Sequence, residues 1–205
     1  MVTKKYDWKS PDKGQQILAS AFAEYEVIPG LKIKSTMNLI FGRDLNENSR
    51  QASPSEISLI GQFNSLGTYG QYWGQSSSWN WVNTASYNKT FGKHTFGAVI
   101  GIDALKSHSV FTNINTSNAP ADQQSISASD PATRVVTGYP TENGLLSYFG
   151  RVTYDYEGKY LFSGTIRRDG SSNFGPSNQF GVFKSASVGW RVSQENFMKA
   201  ITAIS

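Results

Sequence analysis

The sequence predicts an all-β fold, an antiparallel up-and-down section of a transmembrane β-barrel with about seven strands. Three observations predict it. Residues alternate apolar and polar with period two over several runs, the connections between runs alternate short and long, and aromatic side chains collect at run ends. The clearest alternation lies in residues 147–192, where Tyr148, Val152, Tyr154 and Tyr156 oppose Ser147, Arg151, Thr153 and Asp155. Tyr160, Phe162 and Ile166 then oppose Lys159, Ser163, Thr165 and Arg167, and Ala186, Val188 and Trp190 oppose Ser185, Ser187 and Arg191. A half-buried soluble sheet has the same period, so alternation alone does not choose the solvent. The rings of Tyr154, Tyr156 and Tyr160 around Glu157-Gly158, and Trp190 near its strand end, are placed as interfacial girdles require.

Composition is compatible with this fold. A chain of 205 residues supports one sheet system, and a mean hydropathy of -0.40 without a long apolar run excludes a helical membrane span. It does not exclude a barrel, whose strands average out in a hydropathy window. The absence of Cys removes disulfides, zinc-thiolate sites and cysteine nucleophiles together. The net charge of +4 is scattered along the chain, which argues against a nucleic-acid partner. No signal peptide follows Met1, so an exported protein with this start is expected to be an internal section of a longer one.

Taken in order, residues 15–28 form a first strand and Pro29-Gly30 a tight turn, Pro presetting φ and Gly accepting a positive one. Residues 31–42 return, with Leu31, Ile33, Met37, Leu39 and Phe41 on one face and Lys32, Lys34, Thr36 and Asn38 on the other. Residues 43–78 are rich in Ser, Asn, Gln and Gly without a period and read as a long outer loop. Strands follow at 79–88 and 94–105 around a short turn, then a second long polar connection to residue 143. The strands at 147–156, 159–168 and 181–192 close the series, and a short helix is expected over 194–204 with Ser193 as N-cap.

Candidate sites are few. Trp79 and Trp81 fit an outer girdle, whereas Tyr69, Tyr72 and Trp73, read as loop residues, are the candidate ligand-binding set because rings stack on a sugar or other ligand. Lys32, Lys34, Arg151 and Arg167 fall on the polar face, where they tune selectivity. His94 and His108 read as ordinary surface, no metal site is expected, and Ser107-His108-Ser109 makes a poor hydrolase because neighbours on a strand point apart. The run Arg168 to Asn173 lacks the spaced carboxylates of a calcium loop and reads as a turn. No catalytic residue and no cofactor is expected.

From Gly150 to Phe197 the run GRVTYDYEGKYLFSGTIRRDGSSNFGPSNQFGVFKSASVGWRVSQENF resembles the barrel of SusC/RagA-type TonB-linked outer-membrane receptors. AEYEVIPGLKIKS and YNKTFGKHTFGAVIGID fit it more loosely, and Lys184 stands where the family pattern expects Pro. The resemblance implies a barrel of about 22 strands, of which seven are an incomplete part. It also implies a plug domain absent from this sequence, action through TonB, a SusD-like lipoprotein partner, and uptake of a glycan or peptide across the cell outer membrane. The alternative is a soluble or surface-attached β-sheet ligand-binding protein. The two differ in where the apolar face goes.

Overall fold

The structure is a computed structural model and describes residues 12–50, 67–119 and 125–198. Among the described residues there are eight strands: β1 (Asp12–Ile28), β2 (Leu31–Arg50), β3 (Gly67–Phe91), β4 (His94–Ala119), β5 (Val135–Thr137), β6 (Pro140–Tyr156), β7 (Tyr160–Ser171) and β8 (Phe180–Trp190). They form one sheet in the order β1-β2-β3-β4-β6-β7-β8, with β5 against β4 to the side of that path. The β6–β7 and β7–β8 pairs are antiparallel, and apart from β5 the strands follow one another across the sheet in chain order. No helix of the described residues is long and apolar enough to cross a membrane.

The strands differ from the expected ones chiefly at one end. β2 runs on to Arg50, β3 begins at Gly67, and β4 continues to Ala119, so much of the two expected long loops is strand. Residues 51–66 and 120–124 of those loops lie outside the described residues, and residues 125–139 carry a 3-10 turn and the short strand β5. The extensions escaped the period because both faces are polar there, as in Gln75-Ser76-Ser77-Ser78, and backbone pairing with neighbours overrides weak β-propensity. The connection expected between the strands at 159–168 and 181–192 shortens to residues 172–179. At the start of the expected helix the described residues form a 3-10 turn over Val192–Gln194 with no side-chain cap, and Ser193 lies inside that turn; residues 199–204 of the expected helix lie outside the described part.

The short turns follow from their residues. Gly30 has φ of +87°, its N–H donates to Glu26 Oε1 at 2.8 Å, and a Cβ there would collide with the Asn88 carbonyl. In the β6–β7 turn both Glu157 and Gly158 are left-handed, with φ of 55° and 67°, as a tight hairpin turn needs. Asp155 Oδ1 accepts from the Gly158 N–H at 2.5 Å and Lys159 N–H donates to the Tyr156 carbonyl at 2.9 Å.

Glu157 pairs with Lys93 and with Lys159, the latter at 3.3 Å. The hydrogen bond from Lys93 holds the Glu157 carboxyl below its ordinary range, and the same bond raises the Lys93 amine. A lowered carboxyl stabilises the fold above its unfolded value and loses that contribution as pH falls through the folded one. A raised amine stabilises below its unfolded value and loses it as pH rises through the folded one. The pair thus contributes fully between the ordinary values of 4.5 and 10.5. Acid unfolding of the Glu157→Gln variant should therefore depend less on pH below 4.5 than that of the parent. Equal pH profiles in a denaturant titration would remove the pair from the fold's electrostatics.

The chain groups into two compact units. In the unit of residues 19–39, 79–106 and 143–205, the apolar face is the open one. Ile100 is 65% exposed, Ile166 50% and Val188 84%, while Ser147 on the opposite face is 4% exposed. This inverts a soluble sheet, whose apolar face is the covered one. In the unit of residues 1–18, 40–78 and 107–142, a segment folds against β4. Asn113, Ile114 and Asn115 pair with Thr137, Val136 and Val135, and Ser117 N–H donates to Thr133 Oγ1 at 2.9 Å. Pro131 opens its 3-10 turn, and Asp130 Oδ1 accepts from the Ala132 N–H at 2.9 Å.

Candidate functional site

The expected ligand residues lie at the start of β3, within a strand and not in a loop. Strand alternation puts Tyr72 on one face with Thr68 and Gly70, and Tyr69 and Trp73 on the other. Tyr72, 38% exposed, stacks on Phe111 with centroids 5.9 Å apart, and Phe111 meets Tyr139 edge-on at 4.8 Å. Two residues before Tyr72, Gly70 forms a floor over which two carboxamides converge. A Cβ at 70 would collide with Asn48 Oδ1 and lie 3.0 Å from Asn115 Oδ1. A cavity of about 360 Å³ opens here, lined by Asn48, Ser49, Tyr69, Gly70, Asn115 and Thr116 among others. Tyr69 is only 9% exposed, and beside it Gln71 Nε2 donates to Glu47 Oε1 at 3.2 Å. Rings that offer a flat apolar face beside neutral amides and hydroxyls suit a ligand with both characters.

The unit of residues 19–39, 79–106 and 143–205 carries a line of polar side chains on the face opposite its apolar one. Ser20 Oγ donates to Asn38 Oδ1 at 2.7 Å, Asn38 Nδ2 to Asn80 Oδ1 at 3.3 Å, and Asn80 Nδ2 to Asp103 Oδ1 at 2.5 Å. Arg167 Nη2 lies 3.7 Å from Asp103 Oδ2, and Arg167 Nε donates to Asp169 Oδ1 at 2.6 Å. One continuous rail thus joins β1, β2, β3, β4 and β7. Of the basic residues expected on this face, Arg167 belongs to the rail, Lys34 sits 4.7 Å above the Phe22 ring, and Lys32 pairs with Glu24 at 3.3 Å. Arg151 faces Thr165 across β6 and β7.

At the turn ends the aromatic residues form contacts that periodicity alone cannot specify. Phe91 and His94 stack at 5.6 Å, His94 packs against Tyr156 at 4.9 Å, and Tyr156 stacks on Tyr160 at 6.3 Å. His94 Nδ1 is 2.6 Å from the Tyr154 hydroxyl, so this histidine packs among the rings at the turn ends. His108 Nδ1 lies 3.4 Å from Glu142 Oε1. Among the described residues, no group of three or more His, Asp or Glu is placed to hold a metal.

No family model matches the chain. TonB-dependent receptor P3 of Formosa agariphila is 30% identical over 217 residues, which is 97% of this chain and 19% of that protein. TonB-dependent receptor SusC of Bacteroides thetaiotaomicron is 35% identical over 119 residues, 58% of this chain and 12% of that protein. The chain belongs to the SusC-like TonB-dependent receptors. It spans about a fifth of the length of receptor P3. The relatives are receptors and not enzymes. Among solved structures, the RagAB peptide transporter superposes with a TM-score of 0.79 at 18% identity, over 93% of this chain and 21% of that one, and so shares the fold.

The residues that carry the SusC-like pattern lock strand ends. Arg167 and Asp169 of the Arg-Arg-Asp-Gly-Ser-Ser run pair with each other, and Asp169 is the Cα partner of Ser147, which places this run in β7 and not in a loop. Glu195 of the Ser-x-Glu-x-Phe run accepts from Trp190 Nε1 at 3.1 Å and from the Tyr160 hydroxyl at 2.7 Å. These bonds hold its carboxyl below the ordinary range, the Tyr160 bond first. Lys184, the departure from the pattern, is the Cα partner of Ile166. In the SusC-like chain, sequence reasoning missed Asn48, Phe111, Asn115 and Tyr139. Asn48, Phe111 and Asn115 lie in polar strand extensions whose pairing partners are distant in sequence, and Tyr139 lies in the connection between β5 and β6.

Proposed function

We propose that this chain is part of the wall of an outer-membrane TonB-dependent transporter that imports a large nutrient, a glycan or a peptide. The remainder of the protein supplies the plug and the link to TonB, and a SusD-like lipoprotein is the surface partner. The observation that carries the reading is the inversion of the two faces. Apolar side chains such as Ile100 and Val188 are open, and the hydrogen-bonded rail from Ser20 to Asp169 lies on the other face. Lipid is the medium that makes such an apolar face favourable, and a watery lumen suits the rail. A soluble sheet-binding protein would leave the same face in water at a cost of about 25 cal/mol for each Å² of apolar surface.

The short turns at Gly30, Gly92 and Gly158 face the periplasm in this reading, and the long extensions carry the ligand contacts outside. Tyr72 with Phe111 and Tyr139 supplies one stacking surface, and Tyr69 and Trp73 contribute on the opposite strand face. The protein should fractionate with the outer membrane and need detergent to leave it. A monomer that stays soluble without detergent and melts cooperatively would refute the transporter reading. Replacing Tyr72 with Ala should weaken nutrient binding to the whole receptor three- to tenfold, as loss of one ring contact of about 0.5–1.5 kcal/mol implies. Unchanged affinity in calorimetry would exclude Tyr72 as a contact.

A further inference from the structure

The sheet has an open edge where β7 stops and its neighbour runs on. Leu145 opposite Ser171 is the outermost registered pair of β6 and β7. One step further, Ser172 N–H donates to the Gly144 carbonyl at 2.9 Å and Gly144 N–H to Ser172 Oγ at 2.8 Å. The chain after β7 then leaves the sheet in a turn, with the Phe174 N–H on the Ser171 carbonyl at 3.3 Å. β5 stays in the sheet against β4, and among the described residues it pairs with no other strand.

Register fixes which backbone groups this edge presents. Glu157 N–H donates to the Lys93 carbonyl at 2.7 Å; twenty residues further along β4 and twenty back from Glu157, Asn113 stands opposite Thr137, so β5 keeps the register of β6. In an antiparallel ladder, residues bonded to one neighbour alternate with residues whose N–H and C=O point the other way. Odd-numbered residues bond β4, and Val136 and Gly138 turn both groups outward, as Gly144 does. Pro140 has no N–H and ends the row. Val136 is 62% exposed, and Gly138 has no side chain to keep another backbone away.

Outward N–H and C=O groups on alternate residues, at a repeat of about 6.8 Å, are what a further extended chain bonds. A glycan presents hydroxyls at the spacing of its rings and does not match that repeat. Thr133 and Val135 also line the cavity at Gly70, so the edge is continuous with the candidate ligand site. We propose that an extended peptide adds to this edge as a strand, its backbone bonded to Val136 and Gly138 and the side chains of one face over the cavity. The inference rests on the transporter reading above and names peptide as the nutrient class.

The test uses the whole receptor, purified in detergent, and the blocked peptide acetyl-Ala-Val-Thr-Val-Thr-Ala-amide in calorimetry. Two further peptides carry N-methyl groups on one or the other set of alternate residues. The unmodified peptide should bind, one methylated peptide should bind at least tenfold more weakly, and the other should bind within twofold, because a strand turns only alternate amides to its neighbour. Val136→Pro removes one outward N–H and leaves the bonds to β4 in place, so it should weaken binding at least tenfold. Val136→Ala keeps the N–H and should bind within twofold of the parent. No binding of the unmodified peptide, equal affinities of the two methylated peptides, or full affinity in Val136→Pro would overturn the proposal. So would a neutral glucan oligosaccharide whose binding falls with Val136→Pro in place of the peptide's. Membrane fractionation of the same cells separates this inference from the reading beneath it. A receptor in the outer membrane whose peptide binding ignores Val136→Pro refutes only the strand site, whereas a receptor outside the membrane refutes the transporter reading itself.

Discussion

Replacing Ile100 with Arg is expected to weaken the folded, membrane-inserted receptor by about 2–4 kcal/mol, the cost of a cation near the middle of a barrel's lipid face. Ile100 is 65% exposed and lies six residues into β4. It packs across Gly150 from Ile166, where a Cβ would lie 3.8 Å from Cγ2 of each. The expected size separates the two solvents. On a watery surface an exposed Ile→Arg change falls within about 0.5 kcal/mol. Reversible unfolding of the full receptor from lipid vesicles measures the difference. A change of under half a kilocalorie would mean that this face does not contact hydrocarbon.

Cutting the polar rail is expected to cost less but to act over a distance. Asp103 accepts from Asn80 and pairs with Arg167, so Asp103→Leu leaves an amide and a guanidinium without their shared partner. An orphaned polar group costs about 1–3 kcal/mol when buried, and the partial exposure of these groups points to the lower half of that range. Asp103→Asn, which keeps an acceptor for Asn80, should cost less than Asp103→Leu. In a double-mutant cycle with Arg167→Met, a coupling of about 0.5 kcal/mol or more marks the pair as a working link of the rail. A coupling near zero would reduce the rail to independent surface contacts.

How much was legible in the sequence varies along the chain with the contrast between the two strand faces. From Tyr148 to Trp190 one face is aromatic or aliphatic and the other polar, so strands β6, β7 and β8 and the Glu157-Gly158 turn follow from period and turn chemistry alone. In Arg43 to Ser78 both faces are polar and the period vanishes, although β2 and β3 continue into that stretch. The site suffered for the same reason. Tyr69, Tyr72 and Trp73 stood out as rings in a polar run, but read as a loop they carried no faces. The strand divides them, turning Tyr72 towards Phe111 and leaving Tyr69 beside Glu47.

The sequence by itself determined an all-β chain of antiparallel neighbours, its tight turns and its family. Those features are local or carried by contiguous motifs: alternation fixes the faces of a strand, and Gly30 or Gly158 fixes a turn by its own φ. Only the tertiary structure decided which polar residues meet. Asn38, Asn80 and Asp103 are separated by more than twenty residues at each step, and Asn48 and Asn115 converge over Gly70 from two different strands. Register between strands sets such meetings, and register is a property of pairing that no single strand contains.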